Sequence, residues 1–62
     1  MEVCIIDQEI RGDRRHQIMI RRGNGFYHVF PGKLFTKEDA HRVCSENGYT
    51  IVATGNIWQC LN

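Results

Sequence analysis

Residues 16–30, HQIMIRRGNGFYHVF, decide the fold. Alternating side chains on both sides of Asn24-Gly25 make this stretch a β-hairpin, because Asn-Gly supplies the two positive φ angles of a type I′ turn. A two-residue loop there sets Arg22 opposite Tyr27, Ile20 opposite Val29 and Met19 opposite Phe30. One face then carries Ile18, Ile20, Tyr27 and Val29, with Arg22 at its tip, and is an ordinary core face. The other carries Met19, Arg21, Phe26, His28 and Phe30. Rings interleaved with basic groups give that second face the character of a binding surface.

Upstream, Val3–Ile10 alternates as a strand, with Cys4, Ile6, Gln8 and Ile10 on one face and Val3, Ile5, Asp7 and Glu9 on the other. RGDRR, residues 11–15, interrupts the pattern and is expected to form a charged loop. Downstream, Pro31-Gly32 suits the centre of a type II turn. Thr36 is placed as an N-cap, Asp39 stands at N3 of a capping box, and Phe35 and Ala40 make a weak hydrophobic staple. The helix is expected over Lys37–Asn47, stopped by Gly48 at C′, with Ala40, Val43 and Cys44 on its apolar face and a Glu38–Arg42 pair outside.

Tyr49–Thr54 and Ile57–Leu61 then read as a second hairpin about a Gly55-Asn56 type II′ loop. That register pairs Ala53 with Trp58 and Ile51 with Cys60, and gives the helix a cover of Tyr49, Ile51, Ala53, Trp58 and Cys60. The order strand, hairpin, helix, hairpin implies one α+β domain over residues 1–62, a small antiparallel sheet with a single helix on one face. One helix leaves the other face bare. Depending on strand order, that face exposes Val52, Ile57 and Leu61, or Met19, Phe26 and Phe30. Such a patch predicts self-association, most simply as a homodimer.

A chain of 62 residues, 42% of them hydrophobic, suffices for one small core and argues against disorder. Its three cysteines (Cys4, Cys44 and Cys60) are odd in number and widely spaced, unlike a disulfide framework. MEVCIIDQEI has no basic, long apolar leader, and no stretch is apolar enough to span a membrane. A cytoplasmic location is the expectation. Net charge is only +1, but unevenly spread. Residues 11–37 hold seven basic residues against Asp13, a net of +6, and the flanks hold six acids against Arg42, a net of −5. Separation of this kind steers an acidic partner to one surface, unless acidic and basic strands neighbour and neutralise each other.

Groupings that carry catalysis or bind metal are thin. His41 and Cys44 are spaced for a shared zinc, with Cys4, Cys60, His16 or His28 as further ligands, but no second close pair exists. Cys44 lies on the apolar face, unlike an activated nucleophile. Glu38-Asp39 suits a helix N-terminus more than acid–base work, and the Gly-containing segments are turns, not phosphate loops. Arg11-Gly12-Asp13 matches an integrin-recognition tripeptide, a sequence that arises readily by chance. No enzymatic activity, cofactor or metal is expected.

The combination with the clearest meaning is basic–aromatic, and Arg14, Arg15, Arg21, Arg22, Phe26, His28 and Phe30 are the expected partner-binding residues. Arginines and rings serve nucleic acid, through phosphates and stacked bases, or an acidic protein surface. A pI of 7.8 lies below that of dedicated nucleic-acid binders and favours the protein surface. In size, pattern and absence of catalytic groupings the chain resembles small bacteriophage and mobile-element accessory proteins, anti-CRISPR inhibitors among them. That resemblance implies a protein that masks a host enzyme or defence complex. A sheet with one helix is also similar to the arm-binding domains of integrases, but the acidic C-terminal flank and the strand after the helix depart from that pattern. A small DNA- or RNA-binding protein using the same hairpin is the alternative.

Overall fold

The computed structural model describes residues 1–61. Its elements are β1 (Glu2–Ile10), β2 (Asp13–Arg22), β3 (Gly25–His28), α1 (Lys37–Glu46), β4 (Thr50–Gly55) and α2 (Ile57–Leu61). The strands form one sheet in the order β3-β2-β1-β4. The expected α+β class and the helix on one sheet face hold. The sheet is mixed, however, because β4 returns beside β1 and pairs with it in parallel, while β1–β2 and β2–β3 are antiparallel.

β1 is thus a central strand, and its apolar run is used on both sides. Val3 and Ile5 face α1, whereas Cys4 and Ile6 face the opposite way, and all are buried. That is the burial of a covered strand rather than a half-solvated one. The α1 side gathers Val3, Ile5, Ile18, Ala40 and Cys44, with Phe30, Phe35 and Tyr49 closing around them. The opposite side holds Cys4, Ile6, Met19 and Cys60, with Phe26 and Ala53 partly buried against them.

The first connection is far shorter than the expected 11–15 loop. Ile10 pairs with Asp13, so Arg11-Gly12 alone make the turn, and both have positive φ, 51° and 82°, as a type I′ turn requires. Arg14 and Arg15 are therefore strand residues. The β2–β3 turn is displaced by one residue from the expected position. Arg22 pairs with Gly25, leaving Gly23-Asn24 as the loop, and only Gly23 has positive φ (59°). Glycine first and a negative φ second are the requirements of a type II′ turn, which Gly23-Asn24-Gly25 satisfies as readily as the type I′ alternative. The pairs shift by two positions, to Ile20 with Tyr27 and Met19 with His28, so every side chain of β2 and β3 keeps its face.

After β3 the chain turns at Pro31-Gly32, where the Lys33 N–H donates to the Phe30 carbonyl at 3.1 Å. It rejoins the edge of β2 through two 2.9 Å hydrogen bonds between the backbones of His16 and Phe35. α1 begins as expected, the Thr36 hydroxyl accepting from the Asp39 N–H at 3.2 Å. It ends in a Schellman closure at Gly48 (φ 70°), with Tyr49 N–H donating to the Cys44 carbonyl and Gly48 N–H to that of Ser45. Arg42 pairs with Asp39 at 2.9 Å rather than with Glu38.

The second hairpin is not formed. Ile57–Leu61 is a short helix, started by reciprocal 2.9 Å bonds in which Gln59 N–H donates to the Asn56 side chain and Asn56 N–H to the Gln59 side chain. This is a capping box in its Asn/Gln form. It drops Cys60 onto Cys4, Ile6 and Met19, whereas an extended Ile57–Leu61 would leave that face uncovered. Trp58, expected to cover α1, is 72% exposed instead.

Candidate functional site

The seven expected binding residues divide between the two sheet faces. Strand alternation puts Arg15, Arg21, Phe26 and His28 on the face away from α1, the face that carries Met19. Arg21 stands directly across from Phe26, and His28 across from Met19. Phe26 is half-buried against Met19 and its neighbours, while Arg21 and His28 are exposed. α2 packs mainly on β4 and β1 and its Cys60 joins Met19 of β2, so what stays open on this face is the part with Arg21 and His28.

Arg14, Arg22 and Phe30 lie on the other side. Phe30 leaves the strand and is a core residue. Its ring meets Phe35 edge-on at 5.9 Å and Tyr49 at 6.4 Å, so it is withdrawn from the binding surface. Arg22 sits at the hairpin tip, lining a shallow hollow with Ile20 and the exposed Tyr27. Arg14 is turned toward α1, where it donates to Asp7 at 3.1 Å.

The positive charge is correspondingly uneven. Near the β1–β2 turn, acidic β1 lies beside basic β2, with Glu9 opposite Arg14 and the Asp7–Arg14 pair across the strands. Arg15 has Asp13 within 3.7 Å. Both pairs are solvent-screened and worth little in stability, but they cancel the local field. At the other end of β2, Arg21 and Arg22 have no acidic partner among the described residues. The unpaired positive charge of β2 is concentrated there, next to Phe26, Tyr27 and His28.

The cysteines are buried on opposite sides of the sheet, Cys44 on the inner face of α1 and Cys60 of α2 against Cys4 of β1. Burial pushes the Cys44 thiol up. The Cys60 thiol is pushed up by burial first, then by the neighbouring Cys4 and Asp7 and by a hydrogen bond with Cys4. Raised thiols are poor nucleophiles. Among the described residues no three His, Cys, Asp or Glu side chains converge on a metal-sized site, and no helix is long and apolar enough to cross a membrane. Comparisons with protein-family models, with curated proteins and with solved structures give no match to this chain.

Proposed function

We propose that this chain is a cytoplasmic, non-enzymatic binding protein that masks an acidic protein surface with the β2–β3 half of its sheet. Small phage and mobile-element inhibitors of host enzymes act in this manner. The observation that carries the reading is the Arg21–Phe26 cross-strand pair: an exposed arginine with no acidic partner among the described residues, beside a half-buried ring and the exposed His28. Arginine and aromatic anchors side by side are what protein interfaces use for most of their binding energy. Arg15 and His28 extend the patch on the same face, and Arg22 and Tyr27 wrap it around the hairpin tip.

With no partner present, the same half-covered face pairs two copies of the chain. Light scattering tests this: a 7.2 kDa particle at millimolar concentration removes the homodimer. For the partner, the test is capture from a cell lysate by the wild type and by an Arg21→Glu, Phe26→Ala variant. Loss of the same bands from the variant is the expected result, and equal recovery places the site elsewhere.

A DNA- or RNA-binding role is the second reading, favoured by one observation, the Phe26 and His28 rings sharing a face with Arg15 and Arg21. A shift of random single- or double-stranded nucleic acid that weakens steeply with salt selects it over the first.

A further inference from the structure

The side of the sheet under α1 is not filled to its end. Beside the start of α1 lies a cavity of about 380 Å³, lined chiefly by Asp7 of β1, Arg14 and His16 of β2, Lys37 and His41 of α1, and Thr54 of β4. It lies where the first turns of α1 meet the C-terminal part of β4, which runs parallel to β1. Helix starts facing the C-terminal ends of parallel strands favour anions, because unpaired N–H groups and the helix dipole point outward there.

A second, independent feature gives this place ligand chemistry. His16 is only 8% exposed, and its backbone is held on one side by Phe35. Yet none of the side-chain hydrogen bonds among the described residues involves its ring. No buried side-chain nitrogen among these residues is sealed away without a partner, so the ring nitrogens open onto the cavity. A buried imidazole with no protein partner implies a ligand or solvent partner.

The remaining charges fix the sign. Asp7 is engaged by Arg14 at 3.1 Å and Asp39 is turned to Arg42 at 2.9 Å, while Glu38, beside Lys37 and one turn before His41, is exposed and does not line the cavity. Lys37 has no ion pair among the described residues. The donors in excess are therefore the Lys37 ammonium, the His16 and His41 rings, and the Arg14 N–H groups that Asp7 does not use. Two come from α1 and two from β2, so they face the cavity from the helix and from the sheet, which suits a tetrahedral anion better than a planar carboxylate. Thr54 and the free side of Asp7 are placed to meet hydroxyl groups. The volume lies at the lower end of ligand pockets, roughly 300–1,000 Å³.

We propose that this cavity is a binding site for a small hydroxylated phosphate monoester, its phosphate held by Lys37, His16 and His41. The site lies across the sheet from the Arg21–Phe26 surface and stands or falls separately from it.

The test is an NMR titration of the full chain at constant ionic strength with inorganic phosphate, glycerol 3-phosphate and glycerol. Saturating shifts at His16, Lys37 and His41 are expected with both phosphates, tighter for glycerol 3-phosphate, and none with glycerol. Lys37→Gln combined with His41→Asn alters two exposed positions, so the variant stays folded, and it weakens binding by about tenfold or more. Arg21→Glu leaves the titration unchanged. Shifts that never saturate, or unchanged affinity in the Lys37→Gln, His41→Asn variant, overturn the site. Equal affinity for inorganic phosphate and glycerol 3-phosphate overturns the monoester and leaves a bare phosphate site.

Discussion

The two faces of this sheet are built from the same strands and finished differently. On one, a ten-residue helix with a hydroxyl cap and a Schellman closure seals Val3, Ile5 and Ile18. On the other, a five-residue helix closes over Cys4, Ile6 and Met19 and leaves Arg21 and His28 exposed. The difference teaches where a small chain puts its stability. The long helix anchors the fold, and the short one leaves part of its sheet face open, where the proposed recognition surface lies.

Core truncation separates the faces most sharply. Ile5→Ala, beneath α1, is expected to cost about 2–5 kcal/mol, a large share of the stability of so small a domain. Phe26→Ala on the half-open face should cost under about 2 kcal/mol, since its ring is already partly solvated. Urea unfolding followed by circular dichroism measures both, and equal losses break the comparison.

Alkaline pH acts on both faces through their thiols. Cys44 and Cys60 are raised above the ordinary value of 9.0, so the unfolded chain releases these protons at lower pH than the folded one does. Stability is fully present below that value and falls above it, by up to about 1.4 kcal/mol per pH unit for each thiol. Unfolding curves at pH 7, 9 and 10 check this, and a Cys44→Ala, Cys60→Ala variant should lose the slope.

Removing the α2 cap is a smaller and more local change. Asn56→Ala should cost about 1 kcal/mol and open α2 alone, speeding the labelling of Cys60 by about fivefold while Cys44 keeps its rate. Parallel acceleration of both thiols would mean that the two helices open together. The smallest effect belongs to the proposed recognition surface. Arg21→Glu should move stability by less than about 0.5 kcal/mol, as a thermal melt will report, while abolishing partner capture.

How far the sequence carries is clear from particular residues. Period-two alternation assigns the sides of β1, β2 and β3 correctly, and does so even though the β2–β3 turn lies one residue earlier than Asn24-Gly25, because a two-position shift in pairing preserves the pleat. α1 is legible at both ends, from Thr36 and Gly48. The Arg11-Gly12 turn is not, since it sets an arginine at positive φ, which no local pattern announces. The signal for α2 is present in Asn56-Ile57-Trp58-Gln59, but the apolar alternation of Ile57–Leu61 mimics a strand. Phe30 looks like a continuation of the hairpin until the Pro31 turn rotates it into the core. Asp7, His16 and His41 come together only through the tertiary path of three elements, and nothing in their spacing expresses it.

The parallel pairing of β1 with β4 also makes one sheet edge depend on the last strand of the chain. Without β4 docked, the apolar Val3–Ile6 edge of β1 has no partner. An unpaired apolar edge is a template for intermolecular strand addition. Any mutation that weakens the docking of β4 should therefore lower the soluble yield more than it lowers the stability of the finished molecule.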